Sequence, residues 1–223
     1  MARTLALQLS ERLTAAIHER GCASLIVSGG STPRDLFGKL SQYELSWQYV
    51  TVSLSDERWV SPASEDSNEN LVRRLLLKNE ASIATFVPLK NHHGSPDTGE
   101  QECEAALAEI PSPFDVVILG MGDDGHTASL FPYADDLDAA LDLNSGKQCK
   151  AIVPKELPEH APYARMTMTL PRLLESKHII LLFSGDAKWS LYEEAVAGDD
   201  VRQYPVRSVL KQSKTPVSVY WAP

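Results

Sequence analysis

Five apolar runs limit most strongly what this chain can fold into: ASLIVS (23–28), YVTVSL (49–54), DVVILG (115–120), HIILLF (178–183) and VSVYW (217–221). Most are continuous rather than alternating, as strands must be when both faces of a sheet are covered. Helical patterns lie between them. Leu5, Leu9, Leu13 and Ile17 recur every four residues, which predicts an amphipathic helix over 3–20 that Gly21 ends. Residues 68–79, 100–110 and 187–197 read as further helices, with a short one near 205–211. Asp66 or Ser67 is the expected cap of the helix at 68, and Thr32 that of a helix opening at Pro33. Residues 86–89, 150–153 and 165–170 look extended. This alternation predicts an α/β doubly wound sheet. No linker, repeat or low-complexity tract interrupts it, so residues 1–223 are read as one domain.

In such sheets ligands sit beyond the carboxyl ends of the strands, so the residues just past each strand carry the most information about function. After 23–28 comes Gly29-Gly30-Ser31-Thr32-Pro33. Successive amides ahead of a helix, with two hydroxyls, suit an anion such as phosphate. The same residues also make a tight turn. The stretch is neither a Walker A sequence nor GxGxxG, so no nucleotide is indicated. After 49–54 comes Ser55-Asp56-Glu57-Arg58-Trp59, either a solvated edge or a pocket wall in which Arg58 reaches an anion and Asp56 accepts from sugar hydroxyls or orients a base.

After 115–119 comes GMGDDGHTASLFP. Gly120, Gly122 and Gly125 allow close backbone approach, and their amides could serve an oxyanion. His126 is the candidate general base, because imidazole exchanges protons near neutrality. A metal on Asp123, Asp124 and His126 is disfavoured, since no further ligands accompany them. Ser129 lies outside a GxSxG elbow and is not read as a nucleophile. Arg165 starts the extended run RMTMTLP and Lys188 follows the strand at 178–183; each reads either as a plain surface charge or, together with Arg58, as local positive charge on a chain of net charge -9. That net charge opposes binding to nucleic acid or acidic membranes.

No apolar run approaches the ~20 residues of a membrane span, and LALQLSERL is too polar for a signal segment. A cytoplasmic protein is expected. Cys22, Cys103 and Cys149 have no disulfide or zinc spacing; all three are read as ordinary thiols, Cys22 and Cys103 in the core. His92-His93 is read as exposed and idle, and Trp59 and Trp189 as core.

The blocks SGGSTP, SDERW with DSNENL, and LGMGDDGHTASLFP resemble the 6-phosphogluconolactonase family; YARMTMTLP and FSGDAKW fit less tightly. The blocks span residues 28 to 189. The wider superfamily, with a Rossmann-like, mostly parallel sheet and helices on both faces, also holds glucosamine-6-phosphate deaminases and sugar-phosphate-sensing regulators. The resemblance implies hydrolysis of 6-phospho-D-glucono-1,5-lactone in the oxidative pentose phosphate pathway, with no metal and no organic cofactor. It implies His126 as base and Asp56 as part of the same pocket; Asp56 and Asp124 are the further catalytic candidates. It assigns the phosphate to Gly29, Gly30, Ser31 and Thr32 with Arg165 and Lys188 as partners, and places Arg58 in the same pocket; Gly125, through its open backbone, is a further substrate-binding candidate. The group orienting His126 stays open among Asp124, Asp56 and a backbone carbonyl. The alternatives are a sugar-phosphate-binding regulatory module and a deaminase-like isomerase. The deaminases resemble GHIAFNEP here, with a glutamate where this chain has Phe131. A monomer or weak homodimer is expected.

Overall fold

A computed structural model describes residues 1–155 and 162–223. Helix α1 (Ala2–Arg20) precedes β1 (Ala23–Val27), α2 (Arg34–Leu40), β2 (Val50–Leu54), β3 (Asp56–Arg58) and α3 (Asn68–Leu75). Next come β4 (Thr85–Val87), α4 (Pro96–Ala108), β5 (Val116–Leu119), α5 (Leu137–Leu141) and β6 (Cys149–Ile152). The chain closes with β7 (Arg165–Met168), α6 (Leu170–Leu174), β8 (Ile179–Ser184), α7 (Asp186–Ala197), α8 (Arg207–Leu210) and β9 (Val217–Ala222).

Six strands form one sheet in the order β4-β2-β1-β5-β8-β9, every neighbouring pair parallel. Each residue of β1 and β5 is buried, as expected of strands with cover on both faces. Leu5, Leu9 and Leu13 bury one side of α1 against this core. Gly21 ends that helix at φ 76°, its amide donating to Ile17 O.

The winding reverses at β1. The chain moves outward through β2 and β4, then returns through β5 on the other side and runs out to β8 and β9. The crevice between β1 and β5 is therefore the switch point of the sheet, where ligands collect. The glycine loop extends from one of these strands and the histidine turn from the other.

A second sheet departs from the expected architecture. Strands β3, β7 and β6 pair antiparallel in the order β3-β7-β6, outside the six-stranded sheet. Strand β3 starts directly after β2: Ser55 donates its amide to Val27 O and accepts from Met168 N. The small sheet thus extends from the carboxyl end of the main one. The extended run at 165–170 ends earlier than expected: β7 stops at Met168, Thr169 keeps an extended backbone and caps α6 by accepting from Arg172 N, and Leu170 is already helical.

Other local expectations are adjusted too. Ser67, not Asp66, caps α3, accepting from Asn70 N. Thr32 caps nothing: α2 begins at Arg34, Pro33 takes the cap position, and no side-chain cap bond forms. Cys103 and Cys149 are buried, while Cys22 is only half-buried. Among the described residues no helix is long and apolar enough to cross a membrane.

Candidate active site

A cleft of about 330 Å³ opens at the switch point. Its floor is the glycine loop: Gly29, Gly30, Ser31 and Thr32 all line it. Gly30 stands at φ 92°, a left-handed backbone that favours glycine. Gly29 is fixed by a neighbour instead. The Asn68 carboxamide lies where a Cβ would project, so no larger side chain fits without displacing it. Asn68 is held there by donating Nδ2 to Asp56 O, 2.9 Å.

One wall comes from the small sheet. Asp56 and Arg58 alternate outward from β3 into the cleft, with Glu57 pointing the other way. Arg58 stands directly opposite Arg165 of β7 in the ladder, and both line the cleft. Like charges at facing positions repel, so this pair creates a local positive field on an acidic chain. Arg165 is only 4% exposed, and burial together with the Arg58 charge lowers its pKa, against the pull of Asp56. Arg58 is steadied by Asp66, donating to its carbonyl at 3.0 Å with a carboxylate oxygen 3.5 Å away.

Glu57 explains why that wall stands. It is fully buried, and its carboxylate accepts from Asn68 N, Glu69 N, Arg58 N and Ser67 Oγ, all within 2.7–3.0 Å. One side chain therefore ties β3 to the amino end of α3, whose orphan amides and dipole favour an anion. Burial pushes its carboxyl up to about 7, while the four donors pull the other way.

The opposite wall is the histidine turn. Thr127 Oγ1 closes it by donating to Gly120 O, 2.8 Å. His126 lines the cleft, its Nδ1 2.5 Å from Asp124 Oδ1, which also accepts from His126 N at 3.0 Å. Desolvation alone would raise the Asp124 carboxyl; the bonds and charge of His126 outweigh it and hold it below the usual carboxylate range. An ionised Asp124 fixes the tautomer with hydrogen on Nδ1 and leaves Nε2 as the basic nitrogen. The Phe131 ring packs on the imidazole, centroids 4.5 Å apart.

Several expected participants are placed differently. Asp56 does not reach the imidazole; Ser129 Oγ donates to its Oδ2 at 2.5 Å, and Ser55 Oγ to its Oδ1 at 3.0 Å. Gly125 is outside the cleft lining: its amide donates to Gly122 O, and its Cα faces the Tyr204 ring. The Gly122 amide donates to His126 O. Both amides are thus committed to holding the turn, not to an oxyanion. Lys188 lines the cleft and donates Nζ to Met121 O at 2.6 Å, with Asp123 3.5 Å away.

Residues 1–221 match the family model described as glucosamine-6-phosphate isomerases/6-phosphogluconolactonase. The chain belongs to that family. A 6-phosphogluconolactonase of Mesorhizobium japonicum is 44% identical over 226 residues, covering 100% of this chain and 91% of the relative. One of Pseudomonas aeruginosa is 40% identical over 222 residues, covering 100% of this chain and 90% of the relative. The crystal structure of a 6-phosphogluconolactonase from Shewanella baltica superposes with a TM-score of 0.95 at 43% identity, covering 100% of this chain and 93% of the other. The Rossmann-like, mostly parallel sheet that the motifs imply is the one found.

Three cleft-building residues carry no role in the motifs themselves. Asn68 and Glu57 sit inside the blocks without a function of their own there, and Ser129 figures only as a rejected nucleophile. Glu57 has a readable signal, because in a strand that turns Asp56 and Arg58 to one side, the residue between must face the other. Asn68 and Ser129 have none; only the folded contacts with Gly29 and Asp56 single them out.

Proposed function

We propose that this chain hydrolyses 6-phospho-D-glucono-1,5-lactone to 6-phospho-D-gluconate, with His126 as general base. The observation that carries this is one cleft holding an Asp124-anchored imidazole on one wall and a paired-arginine field on the other. The glycine loop, Arg165 and Lys188 grip the phosphate. That remote grip turns binding energy into orientation of the ring carbonyl.

His126 Nε2 takes a proton from water as the water oxygen bonds to the lactone carbonyl carbon. The carbonyl becomes an oxyanion in a locally positive cleft. Collapse breaks the bond to the ring oxygen, which takes the proton back from the imidazolium. The open acid then ionises to the carboxylate. No metal is required: Asp124 is spent on Nδ1 and Asp123 lies beside Lys188, so the turn offers no free ligand set. Phe131, packed on the ring, supplies no acid for amino-sugar isomerisation. The reaction belongs in the cytoplasm, a reducing compartment suited to three free cysteines.

Measuring lactone opening beside a titration with 6-phosphogluconate tests this reading. Turnover together with product binding is expected. Tight binding without lactone consumption would mark a sugar-phosphate sensor instead. Arg165→Ala and Lys188→Ala should each raise KM by roughly 10- to 150-fold, the equivalent of a charge-assisted bond of about 1.5–3 kcal/mol. Steady-state kinetics decide it: unchanged KM in both variants moves the phosphate elsewhere.

A further inference from the structure

We propose that His92, His93 and Glu102 form a binding site for a divalent cation of the zinc class, separate from the cleft. Among the described residues they are the one group of three such side chains whose ligand atoms converge, all within 4.8 Å. His92 Nδ1 lies 3.2 Å from Glu102 Oε2, and His93 Nε2 lies 3.5 Å from the same oxygen. Tetrahedral zinc, with bonds of about 2.0–2.2 Å, sets its ligand atoms ~3.3 Å apart. Two of the three separations already bracket that spacing. The remaining pair is within 4.8 Å, between two rings whose centroids are 4.3 Å apart, and the His92 side chain is 77% exposed.

The scaffold behind these ligands is fixed. Asn91 clips the loop to α4, the helix carrying Glu102, by donating Nδ2 to Gly99 O at 2.9 Å and accepting from His93 N at 3.2 Å. His93 O accepts from Trp59 Nε1 and from Lys90 Nζ, each at 3.1 Å. Lys90 is the nearby cation. Its ammonium is drawn over the Trp59 ring, 4.3 Å from the centroid, and onto backbone carbonyls; burial lowers its pKa, and Glu102 opposes that. Two imidazoles and one carboxylate match zinc, nickel, cobalt or copper rather than magnesium or calcium. A fourth position is left for water. The bound ion would join the loop before α4 to the helix itself, beside Trp59, the neighbour in sequence of cleft residue Arg58. His92 is exposed as expected and His93 is half-buried; the proposal gives this pair a role that its sequence does not suggest.

The test uses the tag-free full chain, stripped with chelator and titrated with Co²⁺ for its visible absorption and with Zn²⁺ for thermal stability. One equivalent of Co²⁺ should produce a saturable tetrahedral band. Zn²⁺ at 100 times its Kd should raise Tm by about 5 °C or more. His93→Ala and Glu102→Gln, both at partly exposed positions, should each abolish the two signals, while His126→Ala keeps them. A wild-type chain with neither signal, or signals that survive either substitution, would overturn the proposal. Neither readout depends on lactone turnover.

Discussion

Replacing His126 with alanine is expected to lower kcat for lactone hydrolysis by about 10²–10⁴-fold, the usual worth of a positioned general base. Binding of 6-phosphogluconate should survive, because the glycine loop, Arg165 and Lys188 reach the cleft from other strands. The fold should survive as well. The ring is half-exposed, and the turn is closed by Thr127 Oγ1 and by backbone bonds the substitution leaves intact. Added imidazole should restore part of the rate, since the vacated space adjoins Phe131 and Asp124. Asp124→Asn should fall between wild type and His126→Ala. The amide can still meet Nδ1, but it no longer stabilises the imidazolium that forms as water is deprotonated. Full turnover in His126→Ala would remove the imidazole from the reaction.

Glu57→Ala carries the largest expected cost in stability. It strands four donors, three of them on the buried junction of Ser67, Asn68 and Glu69. Each unsatisfied buried donor costs about 1–3 kcal/mol. Water reaching Arg58 N and some relaxation of α3 reduce the sum, leaving roughly 3–5 kcal/mol, a large share of the ~5–15 kcal/mol of a typical domain. At this chain length each kcal/mol moves Tm by about 2–4 °C, so a fall on the order of 10 °C is expected by calorimetry. Under conditions where the variant is folded, KM should also rise, because Asp56, Arg58 and Asn68 all take their places from this junction. A Tm within about 2 °C of wild type would show that α3 and β3 are held together by something else.

The legible parts of the molecule are those in which neighbours in sequence decide the outcome. Strand β5 is an uninterrupted apolar run, β1 is broken only by Ser24 and β8 only by its last residue, Ser184, and their burial on both faces is a consequence of that. Gly21 ends α1 and Ser67 caps α3 through contacts within one helical turn. The small sheet was not legible as a separate unit. Strand β3 is three charged residues, Asp56–Arg58, whose partner lies more than a hundred residues on at Arg165–Met168. Nothing local marks that pairing. Helices α5 and α6 are five residues each, too short to carry a helical period. The glycines of the histidine turn show the same limit in the site. Their spacing signals a tight turn but not which amides face a ligand, and Gly122 and Gly125 spend theirs within the turn. Asp124 over Asp56 as the partner of His126 was likewise a question that only geometry answers.

Segments far apart in the chain present one reacting group and one anion grip to the same small molecule. A crystal structure of the wild-type protein with 6-phosphogluconate tests it most directly. The product phosphate is expected on the Gly29–Thr32 loop with Arg165 and Lys188, and the carboxylate carbon about 3–3.5 Å from His126 Nε2 or one water away. A phosphate bound elsewhere, or a carboxylate turned away from the imidazole, would contradict it.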